Sequence, residues 1–373
     1  MKILELCHFS VGICGVWQRV KQESELLSKL GHEVVVFSSN ITKGTNEIAS
    51  SEDKIGKVKI KRFPAKKLGG ESFMKWNFEE EALRFKPDVI IAHSYRHPHT
   101  TKALRVAEEI NCKVFLVTHA PFIEGNTTRS FLSKISVKFY DFFIASRTLN
   151  KFTKIIAITK WEINFLENLG VKREKIGYIP NGIPEKFFKR KKAREVNKIL
   201  FLGRISPIKN LETLILAMSL IKENIFLEIV GPAEKDYLSN LKKLIEKKEL
   251  KKRIKFYKPI YNLNEKINKI DSCKIFVLPS IREAMPQSLI EAMSREKIVI
   301  SSDNIGARDI IKENENGFLF KRENPLDLAE KINFILKMDK SSTEKIKKEA
   351  RKTVKKYKWS VLIKKLNNLL SDQ

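Results

Sequence analysis

Short runs rich in Val and Ile recur along the whole of this 373-residue chain, and stretches of helical period separate them. No other feature constrains the fold as strongly. An unbroken apolar strand must be covered on both faces, and a helix between two strands lets them run parallel. The fold class is therefore read as α/β with doubly wound parallel sheets. In the first half the runs are Ile3 to Leu6, Glu33 to Phe37, Val58 to Phe63, Val89 to Ala92, Val114 to Thr118, Ile155 to Ile158 and Ile176 to Ile179. The second half repeats the scheme at Lys198 to Leu202, Phe226 to Val230, Ile254 to Tyr257, Ile275 to Leu278, Ile298 to Ser301 and Phe318 to Phe320. So long a chain exceeds one ordinary core, and two doubly wound, Rossmann-like domains are expected. The segment Ile179-Pro180-Asn181-Gly182-Ile183-Pro184 stops regular structure just after a strand. It divides the chain into residues 1–180 and 181–357, and 358–373 reads as a terminal helix able to cross back to the first domain.

Composition narrows the partners. Cys7, Cys14, Cys112 and Cys273 are scattered without the spacing of a zinc site. No apolar run reaches the length needed to span a bilayer, so the expected location is the cytoplasm, or the inner face of the cell membrane as a peripheral protein. A net charge of +28 favours polyanions: nucleic acid, anionic lipid or nucleotide phosphate. Stretches such as Lys189-Arg190-Lys191-Lys192 and Lys355-Lys356 read first as solvated faces. No basic stretch with interleaved aromatics forms a recognisable nucleic-acid motif, so no nucleic-acid partner is expected.

In open α/β sheets, ligands bind outside the carboxyl ends of the strands, where the winding reverses. The loop His8 to Val16 holds Gly12 and Gly15 but lacks G-x-G-x-x-G, which argues against a dinucleotide. It is either a plain turn or a backbone that approaches a phosphate or sugar near Gly15. After Leu202 comes Gly203-Arg204-Ile205-Ser206-Pro207-Ile208-Lys209-Asn210. Arg204 and Lys209 suit a diphosphate, one by its forked guanidinium and one by its compact charge, unless they are simply a basic loop of a basic protein. After Leu278 the chain reads Pro279-Ser280-Ile281-Arg282-Glu283-Ala284-Met285-Pro286-Gln287-Ser288-Leu289-Ile290-Glu291. Pro286 fits a first helical turn, which puts Glu283 in the loop and Glu291 on the second turn. The helix start at Ala284, Met285, Pro286 and Gln287 can then hold a phosphate, with one carboxylate for sugar hydroxyls and the other for a ribose diol.

Together these elements resemble glycosyltransferase family 4, whose members adopt the GT-B fold, which implies two Rossmann-like domains facing a central cleft. Ser280 to Met293 resembles the family's E-x7-E element, Gly203-Arg204 with Lys209-Asn210 its G-R…K-G element, Pro180-Asn181-Gly182 its P-N-G hinge, and Gly31-His32-Glu33-Val34 its G-H-E-V. The resemblance covers nearly the whole chain, in the expected order. It implies a retaining transfer from a nucleotide sugar, with Glu283 on the donor sugar, Glu291 on the ribose, and Arg204 and Lys209 on the diphosphate. It also places His119 at the active site, facing the donor sugar. For His93, His97 and His99 a metal site is set aside, because His-x3-His-x-His across Pro98 fits no common ligand geometry; His93, Arg96 and His97 are read as lining the acceptor side, with a purely structural role as the alternative. No metal and no cofactor are expected; the UDP- or GDP-sugar is a substrate. The acceptor is read as a hydroxyl of a polyprenyl- or other lipid-linked glycan. Two departures stand out: Glu283-Ala284-Met285-Pro286 replaces the family's E-G-x-G, and Arg295-Glu296-Lys297-Ile298 stands where a Gly and a Pro are usual.

Phe131, Leu132, Ile135, Phe139, Phe142 and Phe143 recur at helical spacing among Lys134, Lys138 and Arg147. Such a stripe ordinarily packs into a core; the alternative is a basic face resting on an anionic membrane surface. One fold hosts many chemistries, so a sugar-nucleotide epimerase or phosphorylase stays open, and a nucleic-acid-binding protein behind it. Base and donor sugar are open too, with Tyr257-Lys258-Pro259-Ile260 following a strand where a base can sit.

Overall fold

In both halves the apolar runs become parallel strands. The computed structural model describes residues 1–12, 14–45, 47–69, 73–121, 137, 139–189 and 195–372. They form two units, Met1–Asn181 with Val361–Gln373, and Gly182–Ser360.

The first unit contains β1 (Lys2–Phe9), β2 (Glu33–Ser39), β3 (Glu52–Ile55), β4 (Val58–Phe63), β5 (Ala65–Gly69), β6 (Phe73–Trp76), β7 (Val89–His93), β8 (Lys113–Val117), β9 (Lys154–Ala157) and β10 (Ile176–Tyr178). Among the described residues the main sheet runs β10-β9-β8-β7-β1-β2-β4-β3, with β3 antiparallel to β4 and the other pairs parallel. The order reverses between β1 and β7, so the loops after these two strands open side by side. Ile3 to Phe9 is buried throughout, including the carboxylate of Glu5. The strands β3, β5 and β6 lie outside the Val/Ile pattern. Glu52, Asp53 and Lys54 are exposed, and Ala65 to Gly69 pairs with Phe73 to Trp76 as a separate antiparallel ribbon; neither needs a continuous apolar run.

The second unit contains β11 (Lys198–Leu202), β12 (Phe226–Val230), β13 (Ile254–Tyr257), β14 (Ile275–Leu278), β15 (Ile298–Ser302) and β16 (Phe318–Phe320). All are parallel, in the order β13-β12-β11-β14-β15-β16. The chain winds outward from β11, returns, and winds the other way from β14. The two strands pair at Ile199 with Ile275, which makes their carboxyl ends the crevice of the domain. Helices Leu211–Ser219 and Gln287–Ser294 bury Leu214, Ile215, Met218, Leu289, Ile290 and Met293 against the sheet. Several helices start at Asn or Asp caps: Asn262, Asn304, Asn324 and Asp339 each accept from N–H groups of the first turn. The turn Arg295-Glu296-Lys297 carries a structural load, since the buried Arg295 donates to both oxygens of Asp271 at 2.6 and 2.7 Å.

Beyond Pro325 come the helices Pro325–Lys337, Lys340–Val354 and Trp359–Ser371. From Val361 onward the last of these belongs to the first unit. Its Asn367 Oδ1 lies 2.6 Å from His32 Nε2, and the Lys113 ammonium donates to the Asp372 carbonyl at 2.7 Å. No helix of the described residues is long and apolar enough to cross a membrane.

Candidate functional site

The reversal between β11 and β14 brings together loops that lie 74 residues apart in sequence. Lys209 Nζ donates to Glu283 Oε1 at 2.5 Å, and the Ile281 N–H donates to the Ile208 carbonyl at 3.0 Å. Two glycines on the segments that follow β12 and β15 let those segments pack tightly against this pair of loops. A Cβ on Gly231 would stand 1.9 Å from the Gly203 carbonyl oxygen, and one on Gly306 would stand 2.5 and 2.7 Å from the carbonyl oxygens of Glu283 and Ala284. Arg204, more than half exposed, has its guanidinium 3.9 Å from Glu234. That weak contact leaves the side chain available to an anion.

Pro286 is the residue before the helix rather than its first residue; Gln287–Ser294 begins one position later. The leading N–H groups of that helix, beside Met285 and Ala284, form the usual anion-binding end. Glu291 is on the second turn but is buried, and its carboxylate lies 2.6 Å from the ammonium of Lys266. A ribose diol at Glu291 would therefore meet a carboxylate already paired with a lysine. Lys266, Gly231 and Gly306 went unread in the sequence, because nothing in their local pattern links them to Glu283 or Glu291.

In the first unit the carboxyl ends of β1, β7 and β8, with the residues that follow them, form a histidine network. His93, expected on an acceptor wall, is fully buried instead. Its Nδ1 lies 3.0 Å from His119 Nε2, and its Nε2 lies 3.0 Å from Glu5 Oε2. Behind them Arg19 Nε donates to Glu23 Oε2 at 2.9 Å, while Arg19 Nη1 donates to the Ile179 carbonyl at 2.9 Å and to Asn181 Oδ1 at 3.1 Å. His119 and Ala120 both adopt left-handed backbone, at φ 59° and 52°. Two such non-glycine residues in succession at a strand end are strained in the way functional sites often are. His97 stacks on His8 at 4.8 Å, and His99 Nε2 donates to the His93 carbonyl at 2.7 Å. Arg96 donates to Asp141 at 2.8 Å, which also accepts from the Tyr95 hydroxyl at 2.9 Å. Gly15 opens the helix Gly15–Lys29, two residues before Trp17.

Among the described residues, Glu5, Glu23 and His93 bring carboxylate and imidazole atoms within 4.8 Å of one another. Arg19 already lies against Glu23 and supplies the cation, so the trio suits a hydrogen-bonded charge network better than a metal. Glu5, Arg19 and Glu23 are further residues that sequence reasoning passed over. A carboxylate inside the apolar run Ile3-Leu4-Glu5-Leu6 was the available signal.

Burial and the surrounding imidazoles hold His8 well below the ordinary range of a histidine. Burial, followed by neighbouring positive groups, does the same to His93 and His119, and burial with His97 takes His99 to about 3. Unfolded histidine takes up a proton near pH 6.5, whereas these folded rings do not. Stability contributed by the neutral rings is therefore present above about pH 6.5 and is lost as the pH falls below it. Glu5 and Glu23, raised by burial, act in the opposite sense: their contribution is complete below about 4.5 and is lost as the pH rises through their folded values. Four rings outweigh two carboxyls. Unfolding free energy should fall as the pH is lowered from about 6.5 to 5, by on the order of 1.4 kcal/mol per pH unit for each unbalanced ring, and melting temperature should fall with it. A melting temperature that holds or rises over that interval would contradict the assignment.

Phe139, Phe142 and Phe143, which the helical spacing assigned to a core, are exposed around the π-helical turn Tyr140–Ala145. Phe131, Leu132, Ile135, Lys134 and Lys138 lie outside the described residues.

Comparison with known proteins meets this geometry at both halves. The family of glycosyl transferases group 1 matches residues 182–353, and Glycosyltransferase Family 4 matches residues 13–187. The chain is 28% identical over 174 residues to the putative glycosyltransferase EpsD of Bacillus subtilis, 46% of this chain and 45% of that protein. It is 28% identical over 228 residues to the poly(ribitol-phosphate) alpha-N-acetylglucosaminyltransferase of Staphylococcus aureus, 60% of this chain and 44% of that protein. The matched part is thus less than half the length of these two curated relatives. The crystal structure of Anabaena Alr3699/HepE in complex with UDP and glucose superposes with a TM-score of 0.75 at 18% identity, covering 100% of this chain and 99% of that one. That likeness extends the GT-B fold to the whole chain. With family matches running from residue 13 to residue 353 and the reversal-point loops of each sheet carrying the motifs, the chain belongs to glycosyltransferase family 4.

Proposed function

We propose that the protein is a retaining, metal-independent glycosyltransferase that moves a hexose-type sugar from a UDP- or GDP-sugar to a hydroxyl of a lipid-linked or glycan acceptor. The observation that carries this reading is the Lys209–Glu283 contact at the crevice of the second unit. A donor diphosphate entering there draws Lys209 away from Glu283. One binding event thus places a cation on the leaving group and frees a carboxylate for the hydroxyls of the sugar. Lys209, Arg204 and the start of Gln287–Ser294 stabilise charge as the sugar–phosphate bond breaks, the electrostatic term that usually dominates. Because these groups can neutralise the phosphates, the reading assigns no divalent ion. His119 supplies a polar contact to a substrate hydroxyl. The UDP and glucose in the Anabaena HepE structure favour UDP-sugars as the first donors to try. The exposed Phe139, Phe142 and Phe143 support an acceptor carried on a membrane lipid, with the protein peripheral at the inner face of the cell membrane.

The test is a panel of UDP- and GDP-sugars incubated with polyprenyl-diphosphate-linked acceptors, with and without anionic liposomes, in EDTA. The expected product keeps the donor's anomeric configuration, forms in EDTA, and accumulates faster with liposomes at low salt. An inverted anomer overturns retention. Loss of activity in EDTA overturns metal independence, and indifference to liposomes overturns the membrane placement. Epimerised or phosphorolysed donor without transfer favours the other chemistries of this fold.

A further inference from the structure

His119, His93 and Glu5 run inward in single file, with 3.0 Å from His119 Nε2 to His93 Nδ1 and 3.0 Å from His93 Nε2 to Glu5 Oε2. A neutral imidazole donates at one nitrogen and accepts at the other, so such a file has two polarities. With no proton to spare in the Glu5–His93 pair, His93 donates to the Glu5 carboxylate and accepts from His119 Nε2–H, which leaves His119 Nδ1 as a bare lone pair. With one extra proton in that pair, His93 donates through Nδ1 to His119 Nε2, and the hydrogen of His119 sits on Nδ1. It makes no difference whether the extra proton rests on Glu5 or on His93 Nε2, because both arrangements present Nδ1–H to His119.

The charges around the file decide between the two. From the helix Gly15–Lys29 come one carboxylate, Glu23, and one guanidinium, Arg19, already joined at 2.9 Å. Glu5 adds a second carboxylate, and all three side chains are shut away from water. His93 Nε2 is 4.0 Å from Glu23 Oε1, so both carboxylates face the same ring. Two carboxylates against one guanidinium leave one negative charge without a counterion. An uncompensated buried charge is neutralised by a proton. The remaining titratable neighbours, His8, His97, His99 and Cys7, are imidazoles and a thiol that offer no permanent cation. Burial and the adjacent Glu23 hold the Glu5 carboxyl well above the usual carboxylate range, in agreement with the count.

We propose that Glu5 and His93 are positioning residues that fix His119 as its Nδ1–H tautomer, so that this ring meets substrate as a neutral hydrogen-bond donor and not as a base. Among the described residues His119 Nδ1 has no other partner, and its Nε2 is occupied by His93. A ring held this way gives a hydrogen bond to a hydroxyl or ring oxygen of a sugar. It has no free lone pair to take the proton of an acceptor hydroxyl. This rests on the reading that His119 touches a substrate, but the tautomer itself is measurable in the free protein.

The experiment is a long-range proton–nitrogen correlation spectrum of the full chain labelled with 15N-histidine, at pH 7.5 and without ligand. His119 is assigned by the signal lost in His119→Gln. The expected pattern shows Nδ1 protonated and Nε2 bare; the opposite pattern overturns the proposal. Glu23→Gln leaves Arg19 and Glu5 as a balanced pair, so that Glu5 is ionised and accepts from His93 Nε2–H, and in this variant the His119 signals should move toward the Nε2–H form. Transfer should fall about tenfold, in kcat more than in KM, the loss expected of one hydrogen bond. A folded Glu23→Gln protein whose His119 signals do not move also overturns it. If that variant does not fold, the wild-type spectrum alone decides. Failure of every donor in the transfer panel, with the Nδ1–H pattern present, counts against the functional reading and not against this one.

Discussion

Lys209→Ala is expected to lower sugar transfer by about 100- to 1,000-fold, the scale on which one preorganised charge acts on a developing anion. The structure makes the test sharper than the motif does. Lys209 and Glu283 are both mostly buried and lie 2.5 Å apart, so the substitution also strips Glu283 of its cation. The stability cost should be about 1 to 3 kcal/mol, because the abandoned carboxylate must find water or take a proton. Glu283→Gln removes the charge while keeping much of the shape. Added to Lys209→Ala, it should recover part of the stability lost with Lys209 but little of the transfer. The measurement is kcat/KM beside a thermal melt. If Lys209→Ala turns over within about threefold of the parent, the diphosphate is held elsewhere and the donor site must be redrawn.

Gly231→Ala should damage the same site without touching a charged group. Gly231 sits at φ 154°, and an added Cβ would fall 1.9 Å from the Gly203 carbonyl oxygen and 2.8 Å from its carbon. Both obstacles are backbone, so neither can swing aside. At Gly203, by contrast, the neighbour is the Phe201 ring at 3.2 Å, which can give a little. The second unit should lose about 3 kcal/mol or more, and the loop that carries Arg204 and Lys209 should shift. Denaturant unfolding would register the first effect, and UDP-sugar affinity the second. An alanine variant with parental stability would show that the two loops are looser than their contact implies.

The strands that could be read in advance were those that keep a run of apolar positions. β4, β11, β12, β13, β14 and β16 occupy the residues that the Val/Ile runs mark out: β14 is buried at every position, as a strand covered on both faces is, while β4 and β13 alternate buried Val58, Ile60 and Ile254 with exposed Lys59 and Lys255. The strands β3, β5 and β6 left no such mark, being short, charged or paired as a ribbon. For the candidate site the sequence shows which loops follow strands, but not which loops meet. Only the β11–β14 reversal turns Lys209 and Glu283 into neighbours. Lys266 and Gly306 stayed hidden for the same reason. The phenylalanines around Tyr140 were misplaced because helical spacing identifies a face without saying what covers it. Glu5 was legible as an oddity, a carboxylate within an apolar strand, but its partners Arg19, Glu23 and His93 lie on other elements.

The return of Val361–Gln373 to the first unit bears on the order in which the protein can be made. Residues up to Asn181 leave the ribosome first, yet their fold lacks the helix that carries Asn367 to His32 and brings the Asp372 carbonyl to Lys113. Gly182–Ser360 is continuous and needs nothing from the tail, so it can settle while synthesis is still under way. The unit begun first therefore waits for a segment made after the second unit, and the histidine-bearing unit can close only once Val361–Gln373 has been synthesised.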